Sequence, residues 1–194
     1  MSEAPWNIWT GHVARLRAIE PGDWVRYHAD ANDSQSAREN DVIHVPRSAE
    51  AAKKWAEEWA LKAPEDESYG WAIESLVGAE LVGMISTNEV LRKQGTFQYG
   101  LGVFREHRRR GYASEAIRLV LRYYFEELRF YRVSAKVYAF NDASLALHRT
   151  LGFVEEGRIR AAVFTGGAHH AAIAFGMTAT EFQERHGDSL PGPL

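Results

Sequence analysis

The chain has 194 residues, a formal net charge of -3 and no cysteine. That length supports one domain with a substantial core. The charge disfavours a general binder of nucleic acid or anionic membrane, and the missing cysteines exclude disulfides, thiolate metal sites and a cysteine nucleophile together. The first residues lack a basic segment followed by an apolar run, and no apolar run approaches a membrane span, so a cytoplasmic protein is expected.

In chain order, His12–Ala18 alternates as a first strand, and Pro21 opens a short helix over Trp24–Ala31. Residues 32–48 are polar and aperiodic, a long connection that is either mobile or lines a site. Ser48 is placed to cap a helix whose Ala52, Trp55 and Trp59 share a face and which Pro64 ends. Tyr69–Leu76 and Ala79–Val90 form a hairpin around Val77-Gly78. Thr96–Phe104 is the next strand, with Phe97, Tyr99, Leu101 and Val103 on one face and Gly100 and Gly102 on the other. Two glycines on one face admit close approach to the backbone, by a cofactor or by a packed helix.

An amphipathic helix then runs over Tyr112–Arg129, with Ala113, Ala116, Ile117, Val120, Leu121, Tyr124 and Leu128 as its apolar stripe. Tyr131–Phe140 alternates as a strand, and Asn141-Asp142 opens a short helix ending at Leu151-Gly152. Phe153–Ile159 and His170–Thr178 close the sheet, and a polar tail from about residue 183 is expected to fray. The expectation is a single domain over residues 1–194.

Between the strand ending at Phe104 and the helix beginning at Tyr112 stand Arg108, Arg109, Arg110 and Gly111. A basic run can be a solvated patch. A strand-to-helix turn, however, collects backbone amides that lack internal partners, and Gly111, Ala113 and Ser114 allow a phosphate to come close. Downstream, Asn141, Ser144 and His148 fall at i, i+3 and i+7 on one helix face. Asn141 also suits an N-cap.

Arg108-x-x-Gly111-x-Ala113, followed by Asn141-x-x-Ser144, Leu151-Gly152-Phe153-x-x-Glu156-Gly157 and Phe175-Gly176-Met177-Thr178-x-x-Glu181-Phe182, resembles the GNAT acetyltransferase superfamily. The match is to the branch holding ribosomal-protein and spermidine N-acetyltransferases. The resemblance implies an α+β fold: a mixed, mainly antiparallel sheet, splayed at its centre between the Thr96–Phe104 and Tyr131–Phe140 strands and flanked by helices. It implies acetyl-CoA as acyl donor, its pantetheine arm lying along Leu101, Gly102 and Val103. The pyrophosphate would rest on the turn from Arg108 through Arg109, Arg110, Gly111, Tyr112 and Ala113 to Ser114, with Asn141 and Ser144 touching the arm. The acceptor is a small-molecule amine or a protein N-terminus, entering beside residues 32–48, whose Glu39, Asp41 and His44 could meet a cation. A homodimer is possible; neither nucleic acid nor membrane is a partner.

Three residues depart from the pattern: His148, Gln98 and Ala171, where the branch commonly shows an aspartate. The family's usual tyrosine, taken to protonate the departing thiolate, is His148 here, so His148 is either an acid or a packing residue. The carboxylate often found in the strand before the arginine turn is replaced by Gln98, which leaves Glu89 as the nearest candidate base. Glu115, in the first turn of its helix, is read as structural. His169 and His170 point to opposite faces, so no metal site is expected. The rival function is an acyl-CoA-binding sensor that does not transfer the acyl group.

Overall fold

The computed structural model describes residues 6–40, 43–62, 67–187 and 190. Seven strands form one sheet in the order β1-β2-β3-β4-β5-β7-β6. They are β1 (Ala14–Arg17), β2 (Gly70–Ser75), β3 (Leu81–Leu91), β4 (Thr96–Val103), β5 (Arg132–Tyr138), β6 (Val154–Thr165) and β7 (Ala168–Thr178). Every neighbouring pair is antiparallel except β4 with β5, which are parallel. A parallel pair needs a crossover, and helix α4 (Tyr112–Arg122) supplies it.

Alternation along β2 splits the core into two layers. Trp71 and Ile73 face the cluster that contains α4, while Ala72 faces a smaller cluster of Ile19, Leu81 and Phe104. Against that smaller cluster lie Tyr27 of α1 (Trp24–Asp30) and Trp59 of α3 (Ala49–Leu61). The Ser48 hydroxyl caps α3 by accepting from Ala51 N–H at 3.1 Å. Pro64, the expected end of that helix, lies outside the described residues.

The structure departs from expectation in four places. Within residues 32–48 a helix, α2 (Ser34–Asn40), forms without an apolar face. Asp33 caps it, accepting from the N–H groups of Gln35 and Ser36, and Ser36 is its buried contact. The helix expected over Tyr112–Arg129 keeps α-geometry to Arg122 and then makes a π-turn over Tyr123–Glu127. The extra residue in that turn lets Tyr124 bury fully, stacked on Phe97 at 4.0 Å with its hydroxyl 2.6 Å from Thr87.

Strand β6 runs six residues past Ile159 because the chain bulges between Ile159 and Val163, which breaks the alternation a sequence pattern depends on. It turns into β7 through Gly166-Gly167, both at positive φ. Finally, the chain past Phe182 continues as helix α6 (Ala179–His186) rather than fraying there. Thr178 and Glu181 form its capping box, and His186 Nε2 bonds the Leu151 carbonyl at 2.8 Å. Helix α5 (Asp142–Leu151) joins β5 to β6.

Candidate active site

Strands β4 and β5 pair at Thr96 with Arg132, Phe97 with Val133 and Gln98 with Ser134, and then separate. Past Gln98 the facing edges of both strands line a cavity of about 900 Å³. Tyr99, Gly100, Leu101 and Val103 form one wall; Ala135, Lys136, Val137 and Tyr138 form the other. The α4 N-terminus closes one end and α5 runs alongside with Asn141, Ser144 and His148.

The end at α4 has the local features of an anion seat. Arg109 and Gly111 both adopt left-handed backbone, at φ 59° and 85°. Glycine takes that conformation freely, but arginine does so at a cost of about 1 kcal/mol or more, and such strain clusters at functional sites. Gly111 is the N-cap residue of α4 and offers no side-chain acceptor, so the first amides of the helix are left to an external partner.

Arg108 is engaged elsewhere. Its guanidinium donates to Glu39 Oε2 at 2.6 Å, to Ser36 Oγ at 3.1 Å and to the Val103 carbonyl at 3.2 Å. It therefore ties α2 onto the turn.

On α5, the Asn141 side-chain oxygen accepts from Ser144 N–H at 3.0 Å, while its amide donates to the Glu39 carbonyl at 3.0 Å. One residue both caps α5 and holds α2. His148 is buried between Phe153 and Phe175, whose rings lie 5.1 and 5.3 Å away. Its Nδ1 is 2.8 Å from the Ser144 carbonyl, and its Nε2 is 2.9 Å from the Tyr99 hydroxyl. Burial lowers the pKa of the imidazole, opposed in part by the bond to Ser144. Burial likewise raises that of the Tyr99 phenol. Both shifts favour the uncharged forms.

The acetyltransferase (GNAT) domain family matches residues 14–154 of this sequence. The chain belongs to the GNAT acetyltransferases. It is 44% identical over 181 residues to the SPbeta prophage-derived uncharacterized N-acetyltransferase YokL of Bacillus subtilis, covering 93% of this chain and 98% of that one. YdaF, from the same organism, carries a name that is provisional in its own wording, ribosomal N-acetyltransferase. It is 29% identical over 108 residues, 56% of this chain and 59% of that one. The fold is shared with the spermidine N-acetyltransferase of Vibrio cholerae, solved in complex with CoA and spermine, at a TM-score of 0.75 and 19% identity. That likeness covers 87% of this chain and 97% of the other. The chain is thus an N-acetyltransferase on the splayed, mainly antiparallel sheet of its family. No helix among the described residues is long and apolar enough to cross a membrane.

Of the residues singled out in the sequence, Leu101, Val103, Arg108, Arg109, Gly111, Tyr112, Ala113, Ser114, Asn141, Ser144 and His148 line this one cavity. Gly102, Arg110 and Glu89 are not among the lining residues. Gly102 meets β3 through its backbone: a Cβ on Gly83 would stand 2.2 Å from the Gly102 carbonyl oxygen, so the close approach of the two strands requires the glycine at 83. At Gly100 a Cβ would meet open space. Arg110 is exposed. Glu89 is exposed and takes a hydrogen bond from the Gln98 side chain.

The acceptor-side residues also divide. Glu39 lines the cavity, His44 does not, and Asp41 lies outside the described residues. The sequence reading missed Tyr99 and His107 as cavity residues. Strand alternation alone puts Tyr99 on one face with Phe97, Leu101 and Val103, and what marks it is the histidine that reaches it 49 positions later, which only the fold brings near.

Proposed function

We propose that this chain transfers the acetyl group of acetyl-CoA to a primary amine in the cavity between β4 and β5. The observation that carries the reading is the separation of two parallel strands after three paired positions, at an opening that continues onto the uncapped N-terminus of α4. An extended pantetheine arm fits an opening of strand width, as an added strand would, and a pyrophosphate fits amides that have no internal acceptor. The residues that would hold the donor are Leu101 and Val103 along the arm. Gly111, Tyr112, Ala113 and Ser114 would hold its phosphates through backbone amides, with Arg109 adding charge at the rim. The donor supplies an activated thioester, and the protein supplies alignment, dry walls and polarisation of the carbonyl by backbone amide near Val103.

The acceptor class is narrowed by charge. Glu39 is the carboxylate among the described lining residues, and it is already paired with Arg108. A polycation gains little from a neutralised acid, so a monoamine or a protein N-terminus is favoured over a polyamine. The compartment proposed is the cytoplasm, where acetyl-CoA is available.

The test is release of free thiol from acetyl-CoA against a panel of peptide N-termini, monoamines and polyamines. Turnover on at least one, with product mass increased by one acetyl group, is the expected result. Tight binding of acetyl-CoA with no thiol release on any amine would overturn the reading in favour of a sensor.

A further inference from the structure

We propose that Tyr99 and His148 are the proton relay of the transfer, with Tyr99 the catalytic residue that meets the amine and His148 the acceptor behind it. The inference rests on the acetyl-transfer reading above and adds to it the group that removes the proton.

The hydrogen bonds fix the direction of the relay. The Ser144 carbonyl oxygen, 2.8 Å from His148 Nδ1, can only accept, so Nδ1 carries the imidazole hydrogen. Nε2 then presents a lone pair, and the group 2.9 Å from it is the Tyr99 hydroxyl, which must donate. The phenol oxygen keeps lone pairs of its own, and Tyr99 and His148 both border the cavity. The two rings lie within 8° of parallel, and His148 is 4% exposed. Packed against the imidazole are Phe153 and, on β7, Phe175; β4 contributes Tyr99 and α5 contributes Ser144. Tyr99 is the titratable partner among them, so nothing charged in these contacts holds the imidazole protonated.

Among the described carboxylates and histidines that line the cavity, the others are Glu39 and His107, and neither is placed for the role. Gln98 is an amide, Glu39 is bound to Arg108, and Glu89 lies outside the lining. His107 borders the cavity from the arginine turn, between β4 and α4, rather than from between the splayed strands.

The step balances without a further reactant. As the amine nitrogen bonds to the acetyl carbonyl carbon, its surplus proton passes to Tyr99 Oη while the Tyr99 proton passes to His148 Nε2. As the carbon–sulfur bond breaks, the same path run backward delivers a proton to the sulfur. Tyrosine and histidine end as they began, and the products are the amide and the free thiol.

One experiment reads the device without turnover. Nitrogen NMR of the imidazole in the wild-type protein, with His148→Gln used to assign its signals, should show His148 neutral at pH 7 with hydrogen on Nδ1. The alternative tautomer, with hydrogen on Nε2, overturns the proposal. Kinetics on the best acceptor then separate relay from packing. Tyr99→Phe and His148→Gln should each lower kcat about 10²-fold while acetyl-CoA Kd stays within about twofold. The double variant should be no slower than either single one, because a relay broken once is broken. Wild-type kcat in Tyr99→Phe, or losses that multiply, would sink the relay while leaving the transferase reading intact. Absence of thiol release from the wild-type chain on every amine refutes the transferase reading and the relay with it.

Discussion

Glu115 gives the sharpest stability prediction. Its side chain is 1% exposed and accepts three backbone N–H groups at the entry to β1: His12 at 2.6 Å, Val13 at 2.7 Å and Ala14 at 2.6 Å. One carboxylate therefore fixes the first turn of α4, beside the proposed phosphate seat, to the first strand. In Glu115→Gln the better amide rotamer keeps its oxygen on Val13 and Ala14, whose N–H groups share Oε2, and turns its NH₂ toward the His12 N–H. One charge-assisted bond worth about 1.5–3 kcal/mol is lost, and two others fall to the neutral value of about 1 kcal/mol. The sum is a destabilisation of about 2.5–7 kcal/mol, a large part of the ~5–15 kcal/mol that holds a domain of ordinary stability. Urea unfolding followed by circular dichroism should show it as a lower midpoint at unchanged slope. Gly11→Ala should reproduce part of the loss, since its Cβ would stand 2.3 Å from the Glu115 carboxyl carbon. A loss below about 1 kcal/mol in Glu115→Gln would refute the claim that these three bonds carry the β1–α4 joint.

Three further outcomes follow from the same geometry. Arg109→Ala should weaken acetyl-CoA binding about three- to tenfold, more at low salt than at high, as expected for a partly screened charge at a rim; Arg110→Ala, outside the cavity lining, should leave titrated affinity unchanged. Gly83→Ala should cost about 3 kcal/mol or more or prevent folding, because the new methyl would meet backbone at 2.2 Å and part β3 from β4; a melting temperature equal to wild type would contradict this. Superimposed on the ionisation of the acceptor amine itself, the pH profile of kcat/KM should carry a second acid limb at a pH below the ordinary histidine value of about 6.5. The sign is set by burial, which lowers the His148 pKa and keeps the proton-accepting form populated until the solution is more acidic. In His148→Gln that acid limb should vanish, and its persistence would assign it to another group.

The parts of this protein legible in sequence are those written in local periodicity. Alternation marked the strands, the 3.6-residue stripe marked α4, and Gly111 after three arginines marked the turn between them. The family resemblance added the splay of the sheet, which no local pattern carries. What stayed hidden depends on residues far apart in the chain. Helix α2 buries Ser36 rather than an apolar face, so hydrophobic periodicity is silent there, although Asp33 offers a capping signal. Glu115 was legible as structural, but for the helix dipole; its actual partners are three amides about a hundred positions earlier. Tyr99 reads as one residue on a strand face and His148 as a departure on the polar face of α5, and their bond exists only because the fold brings α5 against β4.

Arg108 shows why position in a motif and role in a structure separate. As a cation at the head of a phosphate turn it lines the cavity, and it also gives hydrogen bonds to Glu39, Ser36 and Val103. Glu39 in turn offers its backbone carbonyl to Asn141, which caps α5. These bonds form a continuous chain from the turn before α4, through α2, to the helix that carries His148. The donor-side turn and the proton-accepting residue are therefore positioned by the same short polar helix, and α2 is held by these polar bonds rather than by apolar burial. A connection with so few buried contacts can reshape with few changes in sequence, while the sheet that aligns donor and relay stays fixed. On the proposed reading, that division would assign acceptor choice to α2 and its neighbouring residues, and chemistry to β4, α4 and α5.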